Sequence, residues 1–420
     1  MPHAIKRFIA NQPRPIWILH IAMIINTMGS SFLWPMNTIY MTQALGKSMI
    51  TAGVVLMLMA SATAIGNMLG GWLFDRIGGF RTTFAGVSTT LTALVCLNIN
   101  HDWPYYAAFL MIIGLGQGIV FPSLFAMVGT TWPSGARKAY SLGYLLQNVG
   151  FAVGTALGGF AAAKSFNYSF MGFLSFYIVF FLIVILGIRH IKPLEAPVET
   201  KQEATTASNH KALIALLMIS FAFFLCWIGY VQWQNSISVH VTGLGLSLQH
   251  YGLFWTLNGV WIIIMQPLFM IIIQKTMISI KTQIAIGLFI LMGSFWLTAN
   301  IDSFFGGYGT TGLFWGYMIA MAILTTGEIL IWPAIPTIAN QLAPGGKAGL
   351  FQGISNTAKT VGIMFGPLFG SIMLKYYNLQ ILFYALMGFM VIALVFALTH
   401  DRVLSKNAMQ TSTTTLEKTG

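Results

Sequence analysis

Acidic residues are scarce in this chain. Nine of its 420 residues are Asp or Glu, and charged residues of both signs make up only 7%. Hydrophobic residues make up 56%. A soluble domain of this composition would expose large apolar patches, so the scarcity of charge excludes the ordinary soluble classes and predicts a membrane protein.

Cysteine is scarce as well. Cys96 and Cys226 both lie inside apolar runs, where we expect them to pack and not to form a disulfide or bind a metal. The chain also has no nucleophile with a base at a fixed spacing, no phosphate-binding loop for ATP and no His/Cys cluster. We therefore expect no enzyme, no cofactor and no metal site, and any uphill work must draw on an ion gradient.

Long apolar runs, in contrast, are abundant. Runs of about 20 residues, the length that crosses a bilayer core, recur twelve times and predict an all-α membrane protein. The predicted transmembrane helices are residues 16–40, 50–74, 82–99, 103–128, 139–163, 169–188, 212–236, 249–274, 282–300, 312–340, 348–374 and 379–399.

Positive charge is distributed by topology. The net charge is +12, but Lys and Arg are spread over every second loop and do not form one basic surface, which argues against nucleic acid as a partner. Cytoplasmic loops carry the excess of basic residues, so both termini are predicted to be cytoplasmic. The first apolar run is a full span without a cleavage site after it, and we expect it to be retained.

One polar stretch divides the chain. Residues 191–211, IKPLEAPVETKQEATTASNHK, form the longest polar segment between spans and predict a cytoplasmic linker. It separates a six-helix bundle at 1–190 from a second at 212–400, and a cytoplasmic tail at 401–420 is expected to be disordered.

An internal repeat supports two pseudo-symmetric halves. GQGIVFPSLFAMVGTTWPSG, which begins at Gly116, aligns with GEILIWPAIPTIANQLAPGG, which begins at Gly327. Such duplication is expected of a transporter whose substrate site lies between its halves. The alignment places Glu328 opposite Gln117, so the halves are alike in shape and different in charge.

Glu328 is the one acidic residue in the middle of a long apolar segment. A charged side chain there costs about 2.5–3.5 kcal/mol on insertion scales, so an acid kept at that depth predicts a function. One interpretation is a proton site, since an apolar interior favours the neutral carboxyl and a cationic substrate would compete with the proton. The other is a fixed ion pair with Lys359 that only orients two helices.

Two motifs carry a family resemblance. GGWLFDRIGGFRT, after the second span, resembles the loop signature of the major facilitator superfamily. GFAVGTALGG in the fifth span is similar to the signature of its drug/proton antiporters. The first motif is carried by Gly71, Asp75, Arg76, Gly78 and Arg81, and the second by Gly150, Gly154, Gly158 and Gly159.

A third set of residues narrows the resemblance. Gly327, Glu328 and Pro333 in the tenth span and Lys359 in the eleventh resemble positions of proton-driven multidrug antiporters. The resemblance implies the twelve-helix fold of two bundles, alternating access, proton coupling through Glu328 and Lys359, a monomer and a bacterial cell (inner) membrane.

Physical reasons can be given for both motifs. Asp75 is expected to pair with a neighbouring base or to cap a facing helix, and so to latch one conformation, while glycine allows the tight return of the chain. The alternative interpretation of the first motif is that Asp75 and Arg76 mark an ordinary solvated loop. For the glycines of the fifth span, close helix packing is favoured over a binding role.

Candidate substrate contacts are polar or aromatic residues at cavity depth, where lipid would penalise them or where an aromatic face can attract a cation. For each of them, helix packing or an interfacial position is an equally good interpretation. The candidates are Asn26, Asn37, Gln117, Tyr144, Gln147, Asn148, Trp227, Gln232, Trp233, Asn235, Asn258, Trp332 and Asn356. His240 and His250, near the predicted outer surface, are expected to be exposed.

The resulting prediction is a secondary transporter that exchanges lipophilic or cationic drugs for protons. Its partners are then a small-molecule substrate, protons and the bilayer. A transporter of one metabolite, such as a sugar, peptide, anion or lipid, including an importer, stays open because Lys359 could favour an anion. A membrane receptor or scaffold is the alternative from another class.

Overall fold

The computed structural model describes residues 12–33, 37–192, 206–246 and 248–404. Throughout these ranges the regular secondary structure is helical. Twelve helical segments are long and apolar enough to cross a membrane. The predicted all-α membrane fold is therefore confirmed, and most predicted span ends agree with the observed ones to within a few residues.

Six long helices precede the polar stretch. The candidate span of the first extends to Ala44, and it includes a short helical segment at Asn37–Ile39 and a π-helix at Tyr40–Ala44. The helices are α1 Arg14–Leu33, α2 Met49–Ile77, α3 Gly79–Ile99, α4 Tyr105–Thr131, α5 Ala136–Lys164 and α6 Phe166–Leu186.

The second half contains shorter pieces because two of its spans are broken. These helices are α7 Thr206–Val231, α8 Ser236–Gly243, α9 Leu248–Thr276, α10 Ile280–Ala299, α11 Ile301–Phe305, α12 Gly309–Ile331, α13 Ala334–Leu342, α14 Ala348–Tyr376 and α15 Leu379–Thr399. The tenth span, predicted at 312–340, runs from Ile301 to Leu342 because α11, α12 and α13 follow one another closely.

The chain forms two compact units. Unit 1 comprises Met1–Lys201 and Ala343–Thr360, and unit 2 comprises Gln202–Leu342 and Val361–Gly420. The first boundary falls inside the predicted linker at 191–211. The segment 343–360, which includes the start of α14, groups with unit 1, whereas the sequence assigned it to the second bundle. The division into bundles at 1–190 and 212–400 stays a prediction.

Helix ends follow from local chemistry. Ser48 accepts a hydrogen bond from the Thr51 amide at the start of α2, and Asn378 caps α15 in the same way. Gly78 has φ +83°, a backbone conformation that glycine adopts without strain, and it turns the chain directly from α2 into α3. The tight return predicted from the glycines of the loop is therefore confirmed at Gly78.

Glycine contacts bring the helices of unit 1 close together. A Cβ atom at Gly66 or Gly70 of α2 would collide with the backbone of α4 at Leu115 or Ile119. In membrane helices such small residues allow direct backbone packing, which supplies the van der Waals attraction that holds the helices together. Unit 2 uses the same device where Gly327 of α12 meets Gly287 of α10.

Large apolar side chains cover the outward faces of the helices. Ile99, Phe160 and Leu186 are examples that are mostly exposed. In water, apolar surface of this extent would drive aggregation. Contact with lipid hydrocarbon accounts for it, in agreement with the twelve spans.

Candidate functional site

Glu328 lies buried in unit 2, on the last turns of α12, with only 4% of its surface exposed. Asn258 of α9 donates a hydrogen bond from Nδ2 to Glu328 Oε2 at 3.0 Å and contacts Thr325 Oγ1 at 2.8 Å. Because Thr325 precedes Glu328 by three residues, both lie on the face of α12 that meets α9. The amide donor holds the carboxyl in one orientation.

An aromatic cluster of unit 2 contacts this carboxyl through Tyr230. We define it as Phe223, Trp227 and Tyr230 of α7 together with Trp332, which follows α12. The ring centroids of Trp227 and Trp332 are 5.2 Å apart, and those of Tyr230 and Trp332 are 5.5 Å apart. Tyr230 also interacts with the side chains of Glu328 and Asn258. This part of unit 2 therefore combines a buried carboxyl with several aromatic faces.

The chain places Trp332 by breaking a helix. Helix α12 ends at Ile331, and α13 begins at Ala334. Pro333 lies in this break, and proline cannot supply the backbone N–H that a continuous helix would need there. The break turns the Trp332 ring onto α7, where Trp227 and Tyr230 lie three residues apart on one face.

Lys359 occupies the segment 343–360 and is half-buried. It belongs to unit 1, whereas Glu328 belongs to unit 2. The ion pair between them and their joint role in coupling therefore stay predictions.

Asp75 has a defined contact within unit 1. Its two carboxylate oxygens accept hydrogen bonds from the backbone amides of Gly349 and Leu350, each at 2.8 Å. These amides open α14 and have no partner within that helix. Of the two contacts expected for Asp75, the structure thus shows the helix cap.

The rest of the first motif surrounds this cap. Gly71 lies against Gly349 so closely that a Cβ atom on either residue would collide with the backbone of the other. Arg76 and Arg81 are exposed, and the Arg76 guanidinium lies 4.7 Å from the centre of the Trp72 ring. Asp75 and Gly71 therefore contact the start of α14, and Arg76 and Arg81 lie exposed beside them. The gating role of this motif stays a prediction.

The glycines of the fifth span pack against α1. A Cβ atom at Gly150 would lie 3.0 Å from the Ile24 carbonyl oxygen, and one at Gly158 would lie 2.7 Å from Phe32 Cα. Gly154 meets Met28 in the same row, whereas Gly159 has no atom within 4 Å. The favoured interpretation as close packing is confirmed for three of the four glycines.

The polar face of the first span is directed into unit 1. Asn26 and Asn37 are 0% and 1% exposed, so both avoid lipid as expected. Their Oδ1 atoms accept hydrogen bonds from Tyr177 at 2.7 Å and from Tyr106 at 2.8 Å. The Tyr177 hydroxyl also interacts with Gln117, which joins two of the candidates into one polar group.

Other candidate side chains bond mainly to their own helices. Gln147, Asn148 and Asn356 donate to backbone carbonyls four residues earlier, at 2.9–3.2 Å. Asn235 does the same at 3.0 Å and is exposed. Tyr144, in the same turn as Gln147, is half-buried. These contacts position the side chains without assigning them a ligand.

Gln232 lies at the break in the seventh span, and its side chain forms hydrogen bonds with residues on both sides of the break. Its Nε2 donates to Ile228 O and to Gly366 O, both at 2.8 Å, and its Oε1 accepts from Ser236 Oγ at 2.7 Å. Its neighbour Trp233 is fully buried against Phe254 and Tyr317. In this structure Gln232 and Trp233 therefore hold helices together.

One sequence expectation about histidine is wrong. His250 is exposed as expected, but His240 is half-buried, and its Nε2 atom is inaccessible to solvent. The helix of the seventh span breaks after Val231, and α8 begins as a separate helix at Ser236. His240 therefore does not lie where a continuous helix would place it.

Sequence reasoning missed two residues of the candidate site, Tyr230 and Thr325. Each shares a helix face with a residue that was chosen, because Tyr230 follows Trp227 by three positions and Thr325 precedes Glu328 by three. Helical spacing from the chosen residues was the signal that could have found them.

Comparison with known proteins agrees with this architecture. Residues 19–363 match the family model described as Major Facilitator Superfamily. The chain is 42% identical to "Uncharacterized MFS-type transporter YttB" of Bacillus subtilis, over 95% of this chain and 98% of that protein. It is 22% identical to "Quinolone resistance protein NorA" of Staphylococcus aureus, over 84% and 88% of the two chains.

A solved structure shares the fold. The crystal structure of a bacterial homologue of the iron transporter ferroportin in the outward-facing state superposes with a TM-score of 0.73 at 11% identity. The match covers 93% of this chain and all of that chain.

Proposed function

The chain belongs to the major facilitator superfamily of membrane transporters, and from this premise we propose that it exports lipophilic or cationic compounds in exchange for protons. Glu328 is the proton-binding residue of this proposal. The observation that carries it is the burial of the Glu328 carboxyl, held by Asn258, beside the aromatic cluster of unit 2.

Proton binding follows from the surroundings of Glu328. Its side chain is almost completely removed from solvent, and a charged carboxylate in such a place is costly unless a cation or hydrogen-bond donors compensate. Either a proton or a cationic substrate removes that cost, and each makes the other unnecessary. Competition of this kind converts an inward proton gradient into outward movement of a cation.

The aromatic cluster suits a flat, lipophilic cation. In this structure its rings pack on one another, and each such pair contributes about 0.5–1.5 kcal/mol. A desolvated cation on an aromatic face gains about 2 kcal/mol, so a substrate that parts one pair of rings replaces the contact it breaks. Attraction to the Glu328 carboxylate then favours a positive charge over a neutral ligand of the same shape.

Similarity to a drug-resistance protein also supports the proposed substrate class. The similarity to the quinolone resistance protein extends over most of both chains, although at 22% identity. We propose, with the family, alternating access of two bundles, in which the Asp75 cap on α14 stabilises one conformation. The proposal includes both termini on the cytoplasmic side of the cell membrane and a monomer as the working unit.

The test is transport of ethidium, a lipophilic cation, in proteoliposomes with an imposed pH gradient. Native protein is compared with Glu328→Gln, which keeps the shape of the side chain and removes its titration. Asp102→Asn is the control, because Asp102 is an exposed acid outside the candidate site. We expect gradient-driven ethidium movement in the native and control proteins and none in the Glu328 variant.

Two results would refute the proposal. Equal pH-driven transport by the native protein and by Glu328→Gln would remove Glu328 as the coupling residue. Absence of ethidium movement in native protein that binds no ethidium would remove lipophilic cations as the substrate class.

A further inference from the structure

Helix α8 is a separate eight-residue helix at one end of unit 2. It begins at Ser236, after a non-helical turn at 232–235. A helix this short is not stable by itself in water, so it depends on packing. Ile237 and Val241, one turn apart and both 0% exposed, form the face that seats α8 on the unit.

His240 lies on this helix next to Val241. Its Nε2 atom is buried and has no hydrogen-bond partner among the residues that the structure describes. A buried polar atom without a partner destabilises the state that buries it, because it has given up its hydrogen bond to water. Seating α8 therefore carries a penalty at His240 that the apolar contacts of Ile237 and Val241 must offset.

The surroundings of His240 contain few titratable groups. Helix α9, which packs against α8, carries His250 and Tyr251 near its start; α11 carries Asp302; and α12 carries Tyr317. Asp302 is the charged residue that acts on His240 within the described ranges, and it also acts on Tyr317. Tyr251 donates its hydroxyl to Trp233 O at 3.0 Å and so is already engaged.

We propose that His240 is a proton-binding site that controls the seating of α8, with Asp302 as the nearby counter-charge. When α8 is seated, the half-buried imidazole, whose Nε2 atom is shielded from solvent, is neutral. When α8 lifts from the unit, the imidazole meets water and binds a proton. Acidification therefore releases α8, and neutral pH seats it.

The sign follows from burial. Desolvation lowers the pKa of His240 below its ordinary value, and Asp302 opposes this only in part. A base with a lowered pKa in the seated state is stable there at high pH and loses that stability as the pH falls below its ordinary pKa of about 6.5. If seated His240 stays neutral, lowering the pH from 7.5 to 5.5 raises the population of the released state by up to about tenfold.

The inference is independent of the proposed drug export, and its test contains neither substrate nor pH gradient. Full-length protein in detergent, with Cys96 and Cys226 replaced by Ala, carries one reporter, Val241→Cys, on the buried face of α8. Alkylation by a maleimide then measures release of the helix. Gly243→Cys, exposed and with no atom within 4 Å of its Cβ position, corrects for the effect of pH on the thiol reaction.

We expect the ratio of the Val241→Cys rate to the Gly243→Cys rate to rise by up to about tenfold between pH 7.5 and pH 5.5. His240→Gln and His240→Phe, which do not titrate, are expected to hold that ratio within about twofold; the loss of the rise in both variants excludes a purely local packing effect. His250→Gln is the control and keeps the rise. A constant ratio in the parent protein, or an equal rise in both His240 variants, would overturn the inference.

Discussion

The cap on α14 leads to a quantitative prediction about Asp75. The carboxylate accepts hydrogen bonds from the amides of Gly349 and Leu350, both at 2.8 Å, and is half-buried. Asp75→Ala removes both acceptors and the charge. Asp75→Asn keeps one acceptor oxygen and removes the charge, so the pair of variants separates hydrogen bonding from electrostatics.

The expected magnitude follows from two terms. Loss of a side-chain cap costs about 0.5–2 kcal/mol. Loss of a negative charge at a helix N-terminus costs about 0.3–1 kcal/mol, and more where the site is partly buried. We therefore expect about 2 kcal/mol for Asp75→Ala and about 1 kcal/mol for Asp75→Asn. In an opening equilibrium these values correspond to factors of about 30 and about 5.

Hydrogen–deuterium exchange of the peptide that begins α14 measures this opening directly. The amides of Gly349 and Leu350 are expected to exchange about 30 times faster in Asp75→Ala and about 5 times faster in Asp75→Asn. Asp102→Ala, which removes an exposed acid of the same unit, should leave that peptide unchanged. Unchanged exchange in Asp75→Ala would refute the cap and the stabilising role we give it.

The remaining predictions concern packing and charge. Gly71→Val should destabilise the contact with Gly349 by about 1–3 kcal/mol, because a Cβ atom there meets backbone; Gly159→Val, at a position with no atom within 4 Å, is the control in a thermal unfolding assay. Lys281→Met should cost at most about 1 kcal/mol, because the 2.8 Å ion pair with Asp401 is partly exposed; a larger loss, or one that persists unchanged at high salt, would contradict this.

Much of the fold could be predicted from the sequence because the bilayer restricts the choices. Each crossing needs a long apolar run, and the twelve runs coincide with the twelve helical segments that are long enough to span among the described residues. Local rules were equally reliable at Gly78, where a tight turn requires a positive φ, and at Asn26 and Asn37, whose polarity predicted an inward-facing position.

The candidate site could be predicted only in part. Glu328 was predictable because one acid in a long apolar run is rare, and its burial agrees with that prediction. Asn258 was chosen only for its polarity, and its contact with Glu328 was not foreseen. Tyr230 was missed, because an aromatic residue in an apolar helix has no unusual sequence signal.

The sequence by itself determined the spans, the depth of Glu328 and the positions where glycine permits close approach. Tertiary structure decided which side chains meet: Asn258 on Glu328, Asp75 on the start of α14, and the burial of His240 after the break in the seventh span. The physical reason is that hydropathy and helical periodicity fix the depth and the face of a residue. They do not fix which helix lies opposite, since that depends on the packing of segments far apart in the chain.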